Sequence, residues 1–138
     1  MPTFSGTCSS KVSSQTTVGV PGPLDRQLAL AVLLGRHKST DPKWMDARFT
    51  LAGTTDVVQG RGEQRGYFHN ARTNGDTSHG TFEAKVTTAL NATMTVAGTW
   101  RFVGGTGTLA TLSGGGIFTV QMATPTDSEM TWSGSYGS

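Results

Sequence analysis

Tyr67, His69 and Asn70 place three polar side chains within four positions of the stretch Gly66-Tyr67-Phe68-His69-Asn70. A histidine titrates near neutral pH and can act as an acid or a base. A tyrosine hydroxyl can donate a hydrogen bond to a carbonyl oxygen. His37, after the apolar run Leu28–Leu34, and Asp46, beside Trp44, complete the candidate catalytic set. Asp46 is the carboxylate with least local explanation, because Asp41 precedes Pro42 as a turn former and Asp56 falls near a strand end. Glu83 and Lys85 read as a solvent-facing pair of little energetic worth.

Other chemistries lack their signatures. His37, His69 and His79 show no zinc-type spacing, so no metal is expected. Cys8 is the single cysteine, which excludes an intrachain disulfide and points to a reducing compartment. It stands among Ser and Thr and reads as a small strand residue rather than a nucleophile. There is no Gly-x-Ser-x-Gly elbow, and no Ser-His-Asp set follows from residue order. Gly104-Gly105-Thr106-Gly107 is followed neither by a helix nor by Gly-Lys-Ser/Thr, so it reads as a turn with glycines at positive φ, not a phosphate loop.

These residues must be held by strands. The chain has 138 residues, enough for one domain over 1–138 with a core of its own. Apolar residues make up 35%, but charged residues only 14% and the net charge is +2, which excludes disorder by self-repulsion. Nineteen glycines and abundant Thr and Ser fill the difference, a composition suited to short strands and tight turns. The basic residues are scattered with no aromatic interleaving, so nucleic acid is not expected as a partner. No leader-like segment opens the chain, and Leu28–Leu34 is too short to span a bilayer. The expectation is a cytoplasmic protein with no membrane partner.

Period-two alternation and turn residues predict eight strands, near residues 4–18, 28–34, 45–58, 64–71, 80–88, 93–103, 117–122 and 129–136. Leu28–Leu34 is ambiguous: its Ala and Leu favour helix, but Pro21, Pro23 and Gly35 bracket it. It reads as a buried strand, with a helix as the alternative. Gly60–Gly62 and Asn74-Gly75 mark hairpin turns, the latter with positive φ at both central residues. Thr124–Asp127 marks another. Short connections imply antiparallel neighbours, and an all-β, eight-stranded antiparallel up-and-down β-barrel removes the exposed edges.

Within such a barrel, Phe68, Phe82, Trp100, Phe102, Phe118 and Trp132 alternate toward one face and form the candidate ligand-binding set. Ala47, Gly53, Ala84, Gly98, Gly116 and Gly134 share those inner faces, and small residues opposite large ones leave space for a ligand. The alternative is a solid core. Inside and outside on strands three and four are uncertain by one residue, and a slip of one exchanges them.

Phe102-Val103-Gly104-Gly105-Thr106-Gly107-Thr108-Leu109-Ala110, with the glycines at 114–116 and Ile117-Phe118, resembles a strand-turn-strand pattern of the allene oxide cyclase and dirigent-protein superfamily, calycin-type barrels. The match covers about a fifth of the chain. The resemblance implies an eight-stranded barrel with an apolar lumen, assembled as a homo-oligomer, dimer or trimer. It implies cofactor-independent chemistry on a hydrophobic small molecule, which is isomerised, cyclised or rearranged by positioning in a dry cavity. It carries over no catalytic residue. A non-catalytic, lipocalin-like carrier or sensor of an apolar ligand is the alternative function, and a filled structural barrel associating through a sheet face is a third.

Overall fold

In a computed structural model the chain forms eight strands, described over residues 2–89, 93–122, 124 and 126–137. They are β1 (Thr3–Val20), β2 (Arg26–Ser39), β3 (Arg48–Val58), β4 (Arg61–Ala71), β5 (Thr77–Thr88), β6 (Met94–Gly105), β7 (Ser113–Met122) and β8 (Asp127–Gly137). Each strand pairs antiparallel with the next, and β1 pairs with β8 over Thr3–Lys11, so the barrel closes in up-and-down order. Closure satisfies the backbone groups that an open sheet would leave at its two edges.

Alternation decides the two faces. Phe49 and Leu51 on β3, Phe82, Ala84 and Val86 on β5, Val96 and Phe102 on β6, and Met130 and Trp132 on β8 are all buried. On β4 it is Phe68 and Asn70 that turn inward, while Tyr67 is 69% exposed. Leu28–Leu34 is strand, not helix, but it is not buried on both faces as expected. Leu33 enters the core, whereas Leu28, Leu30 and Leu34 face outward at 44, 55 and 49% exposure. Lys85 pairs with Glu63 on the neighbouring strand at 2.7 Å, not with Glu83.

The turns differ from the sequence expectation in residue and type. Val58 pairs with Arg61, so the β3–β4 loop is Gln59-Gly60 alone, with φ of 52° and 80°. Two positive φ values make a type I′ turn, whose twist matches the strands it joins. At Asn74-Gly75 only the glycine has positive φ, at 93°. Gly75 N–H donates to the Arg72 carbonyl (3.0 Å) and Arg72 N–H to the Asp76 carbonyl (2.8 Å), giving a five-residue loop. Of the glycines at 104–107, only Gly107 has positive φ. The glycines at 114–116 lie inside β7 rather than before it. The expected turn at Thr124–Asp127 includes Pro125, which lies outside the described residues.

Two short 3₁₀ turns complete the core, η1 (Pro42–Trp44) between β2 and β3 and η2 (Gly107–Leu109) between β6 and β7. Asp41 caps η1, its carboxylate accepting from Lys43 N–H at 3.0 Å, and Pro42 supplies a fixed φ at its start. The result is Trp44 laid into the barrel at 2% exposure.

Rings fill the interior by lying on bare backbone. A Cβ added to Gly134 would stand 2.7 Å from Trp100 Cζ2, one at Gly6 2.6 Å from Trp132, and one at Gly80 2.5 Å from Phe68. Of the small residues expected to leave space for a ligand, Gly53 and Gly134 instead seat the rings of Phe82 and Trp100, so less of the interior is open than the sequence had suggested. Gly134→Val should cost about 1–3 kcal/mol by overpacking, because its Cβ also meets the Gly115 carbonyl oxygen at 2.3 Å. Gly19→Ala, with nothing within 4 Å, should change stability by less than about 0.5 kcal/mol. Urea unfolding of the two variants checks the contrast.

Candidate functional site

The barrel interior holds a cavity of about 60 Å³. All six aromatic residues of the sequence-derived ligand set, Phe68, Phe82, Trp100, Phe102, Phe118 and Trp132, line it. So do Phe49, Leu51 and Met130, which share the inner faces of their strands, and Phe4 and Trp44, which sequence reading had not placed there. Phe4 is the most consequential omission. Its ring centroid lies 4.6–5.9 Å from those of Trp44, Trp100, Trp132 and Tyr136. Edge-to-face pairs of this kind contribute about 0.5–1.5 kcal/mol each beyond area burial. Its inward neighbours on β1, Gly6, Cys8 and Ser10, are small or polar, so the strand carries only a weak alternating signal.

Two polar residues interrupt the apolar wall, His37 from β2 and Asn70 from β4. His37 is 6% exposed and Asn70 5%. His37 Nε2 lies 2.8 Å from Asn70 Oδ1, and Asn70 Nδ2 donates to Ser78 Oγ at 3.2 Å. An amide oxygen only accepts, so Nε2 carries the proton and Nδ1 keeps a free lone pair. Nδ1 has no hydrogen-bond partner among the described residues. Phe49 and Trp132 pack edge-on against the imidazole at centroid distances of 5.0 and 5.5 Å, which fixes its plane. Burial holds the imidazole pKa below its ordinary 6.5, with the Asn70 hydrogen bond opposing the shift. His37 is thus a neutral base in an apolar box. Trp132 Nε1, a donor, is also buried without a partner among the described residues. Buried polar atoms left unpaired cost free energy and call for an explanation.

The other candidate residues lie elsewhere. Tyr67 and His69 are on the outer face of β4, where His69 opposes His79 across the β4–β5 ladder. Asp46 is at the rim with φ of 60°, its carboxylate 2.5 Å from Lys38 Nζ. That hydrogen bond and the lysine charge hold its pKa low. The structure brings together only His37 and Asn70 of the candidate catalytic five. Strand parity separates Asn70 from Tyr67 and His69, although all three are close in sequence.

Trp44 forms the cavity wall at η1. Phe102 stacks on it at 5.5 Å with an interplanar angle of 17°, and the Arg72 guanidinium lies 4.1 Å from its ring centre. The Tyr136 hydroxyl donates to Asp41, tying the η1 turn to β8. Burial and that bond to the aspartate both raise the tyrosine pKa. Burial pushes the Asp41 pKa up, but the bonds from Tyr136 and Lys43 N–H outweigh it and leave the carboxyl low. Cys8 is buried, and burial pushes its thiol up to about 11, which removes it as a nucleophile at neutral pH. Among the described residues no group of three or more His, Cys, Asp and Glu could hold a metal ion.

The buried imidazole makes stability depend on pH. The unfolded chain takes up a proton below pH 6.5 that folded His37 refuses until lower pH. The stability this site supplies is present above 6.5 and falls as pH drops, by up to roughly 1.4 kcal/mol per pH unit. His37→Gln should flatten that part of the profile, as urea unfolding at pH values on either side of 6.5 will show.

Comparison with protein-family models, curated proteins and solved structures finds no match for this chain, so the allene oxide cyclase and dirigent resemblance rests on the residues quoted above.

Proposed function

We propose that the barrel binds a small hydrophobic molecule and rearranges it without a cofactor, with neutral His37 as the proton acceptor. The observation that carries this reading is the free Nδ1 lone pair of a buried imidazole on the wall of an otherwise apolar cavity. A base whose pKa lies near or below working pH is unprotonated and ready, and a dry site strengthens its pull on a substrate proton. Asn70 is a positioning residue. It fixes the tautomer and the ring orientation through Nε2 and is itself held by Ser78. Tyr67, His69 and Asp46 lie outside the cavity and take no part in this reading.

Size limits the ligand. A cavity of about 60 Å³ accepts a group of a few heavy atoms. Anything larger requires rings to turn aside, and Trp44 is the wall best suited to move, because it sits on a three-residue turn rather than a strand. The reaction class is proton transfer within one molecule. The Nδ1 lone pair takes a proton from a carbon beside a carbonyl, and the same proton returns at another carbon, so the product is an isomer and no oxidant is needed.

Cyclohex-3-en-1-one is the probe: its ring exceeds the resting cavity and enters as Trp44 turns aside, and moving one proton converts it to the conjugated cyclohex-2-en-1-one. Trp44, Trp100 and Trp132 line the cavity, so binding should change tryptophan fluorescence saturably. Conversion, followed by NMR, should fall at least about 100-fold in His37→Gln, the usual scale for a lost general base. Saturable binding without conversion would favour carriage of an apolar ligand instead. No fluorescence response and no conversion above buffer would overturn both.

A further inference from the structure

We infer that the Trp132 indole N–H is the donor that holds the carbonyl oxygen of the substrate while His37 takes the proton. This rests on the reading of His37 as the base and supplies the other half of the site. Among the described residues four buried side-chain polar atoms have no hydrogen-bond partner: His37 Nδ1, Trp44 Nε1, Arg72 Nε and Trp132 Nε1. The first accepts and the other three donate. A buried donor without an acceptor is costly, so an oxygen that reaches one gains by it.

Of the three tryptophans that line the cavity, one has its N–H to spare. Trp100 Nε1 donates to the Ile117 carbonyl at 3.2 Å. Trp44 Nε1 lies beside the Tyr136 hydroxyl, where burial raises the tyrosine pKa and the indole N–H partly offsets it. Trp44 also stands on the turn that has to yield to a ligand. Arg72 is outside the lining, its guanidinium 4.1 Å from the centre of the Trp44 ring. The Asn70 amide is engaged with His37 and Ser78. That leaves Trp132.

Trp132 is mounted so that its donor stays in place. It lies within β8, paired with Gly6 of β1 and Phe118 of β7, and is 6% exposed. A Cβ at Gly6 would stand 2.6 Å from Trp132 Cζ2, so the indole reclines on bare backbone. Cζ2 and Nε1 share one edge of the indole. The N–H edge therefore crosses β1 toward β2, the strand that carries His37. The imidazole and indole centroids are 5.5 Å apart with their planes at 86°, and Phe4 packs on the indole at 4.8 Å. An acceptor and a donor thus stand on two touching rings without bonding each other. Such a pair suits one small group, with a carbonyl oxygen on the N–H and the adjoining C–H at Nδ1. No charged side chain lines the cavity to compete for that oxygen. As the proton moves to Nδ1, negative charge grows on the oxygen, and a fixed N–H in dry surroundings stabilises it. The proton then returns two carbons further along and the oxygen becomes a carbonyl again.

Infrared spectra of bound cyclohex-2-en-1-one test this. On the wild-type protein its C=O stretch should fall below the value in hexane. Trp132→Phe should restore the hexane value with the probe still bound. So should β-(3-benzothienyl)alanine at this position, which keeps the ring shape and puts sulfur where the N–H stood. Both changes should slow conversion of cyclohex-3-en-1-one about 100-fold, the scale for one lost oxyanion donor. The pH dependence set by His37 should not move. His37→Gln should lose conversion and keep the lowered stretch. A wild-type stretch at the hexane value, or one that stays low in the benzothienyl variant as a bound water would leave it, overturns the assignment and leaves the His37 base standing. A lowered stretch that depends on Trp132, with conversion intact in His37→Gln, overturns the base and keeps the donor. A probe that does not bind the wild-type protein overturns both.

Discussion

Contact between aromatic rings and bare backbone inside a closed barrel is the constraint on which the rest of this structure depends. Eight strands enclose an interior just wide enough for side chains to fill. Here the filling is done by large rings, and several of them lie where the facing strand carries no Cβ. Trp100 over Gly134, Trp132 over Gly6 and Phe68 over Gly80 are three instances of one device. Each lets a bulky residue lie flat without pushing neighbouring strands apart. The high glycine content is thus part of the core, not only of the turns.

The same packing defines the polar site. His37 and Asn70 are affordable inside this core only because they bond to each other and onward to Ser78. Nδ1 and Trp132 Nε1 have no partner among the described residues, and such atoms in an apolar interior are the places where a ligand has something to gain. The edge-on contacts from Phe49 and Trp132 stop the imidazole from turning to find another partner. Rigidity from the rings and orientation from the amide act on one residue from two sides. Trp44, held between Phe102, Arg72 and the Asp41–Tyr136 bond, closes the cavity at η1 with a wall that is packed but not part of the sheet.

Outside the barrel, the β1–β2 hairpin obeys a different rule from the rest of the sheet. Elsewhere the apolar positions point inward and the outer face is mostly Thr, Ser and charged residues. On β2 both faces are apolar, which is why its sequence reads as a buried run. Within one chain only the inner half of that reading is satisfied, by Leu33.

The sequence by itself determined the fold class, the strand count and most of the core. Period-two alternation survives wherever one face is buried, so Phe82–Val86 and Met94–Phe102 announce their inward residues directly. Hairpin positions were legible from Gly and Asn, but turn type was not, since Gln59 takes a positive φ that its identity does not advertise. What tertiary structure alone decided is the site. Parity on β4 is hidden by Tyr67, Phe68, His69 and Asn70 in succession, each suited to either face. Only the ladder with β3, anchored by the two-residue turn at Gln59-Gly60, turns Asn70 inward and Tyr67 and His69 outward. The meeting of His37 with Asn70 spans 33 residues and two strands, a distance no local pattern encodes. Nor could composition say whether glycines opposite aromatics leave a space or fill one, because that depends on how closely the strands approach once the barrel is closed.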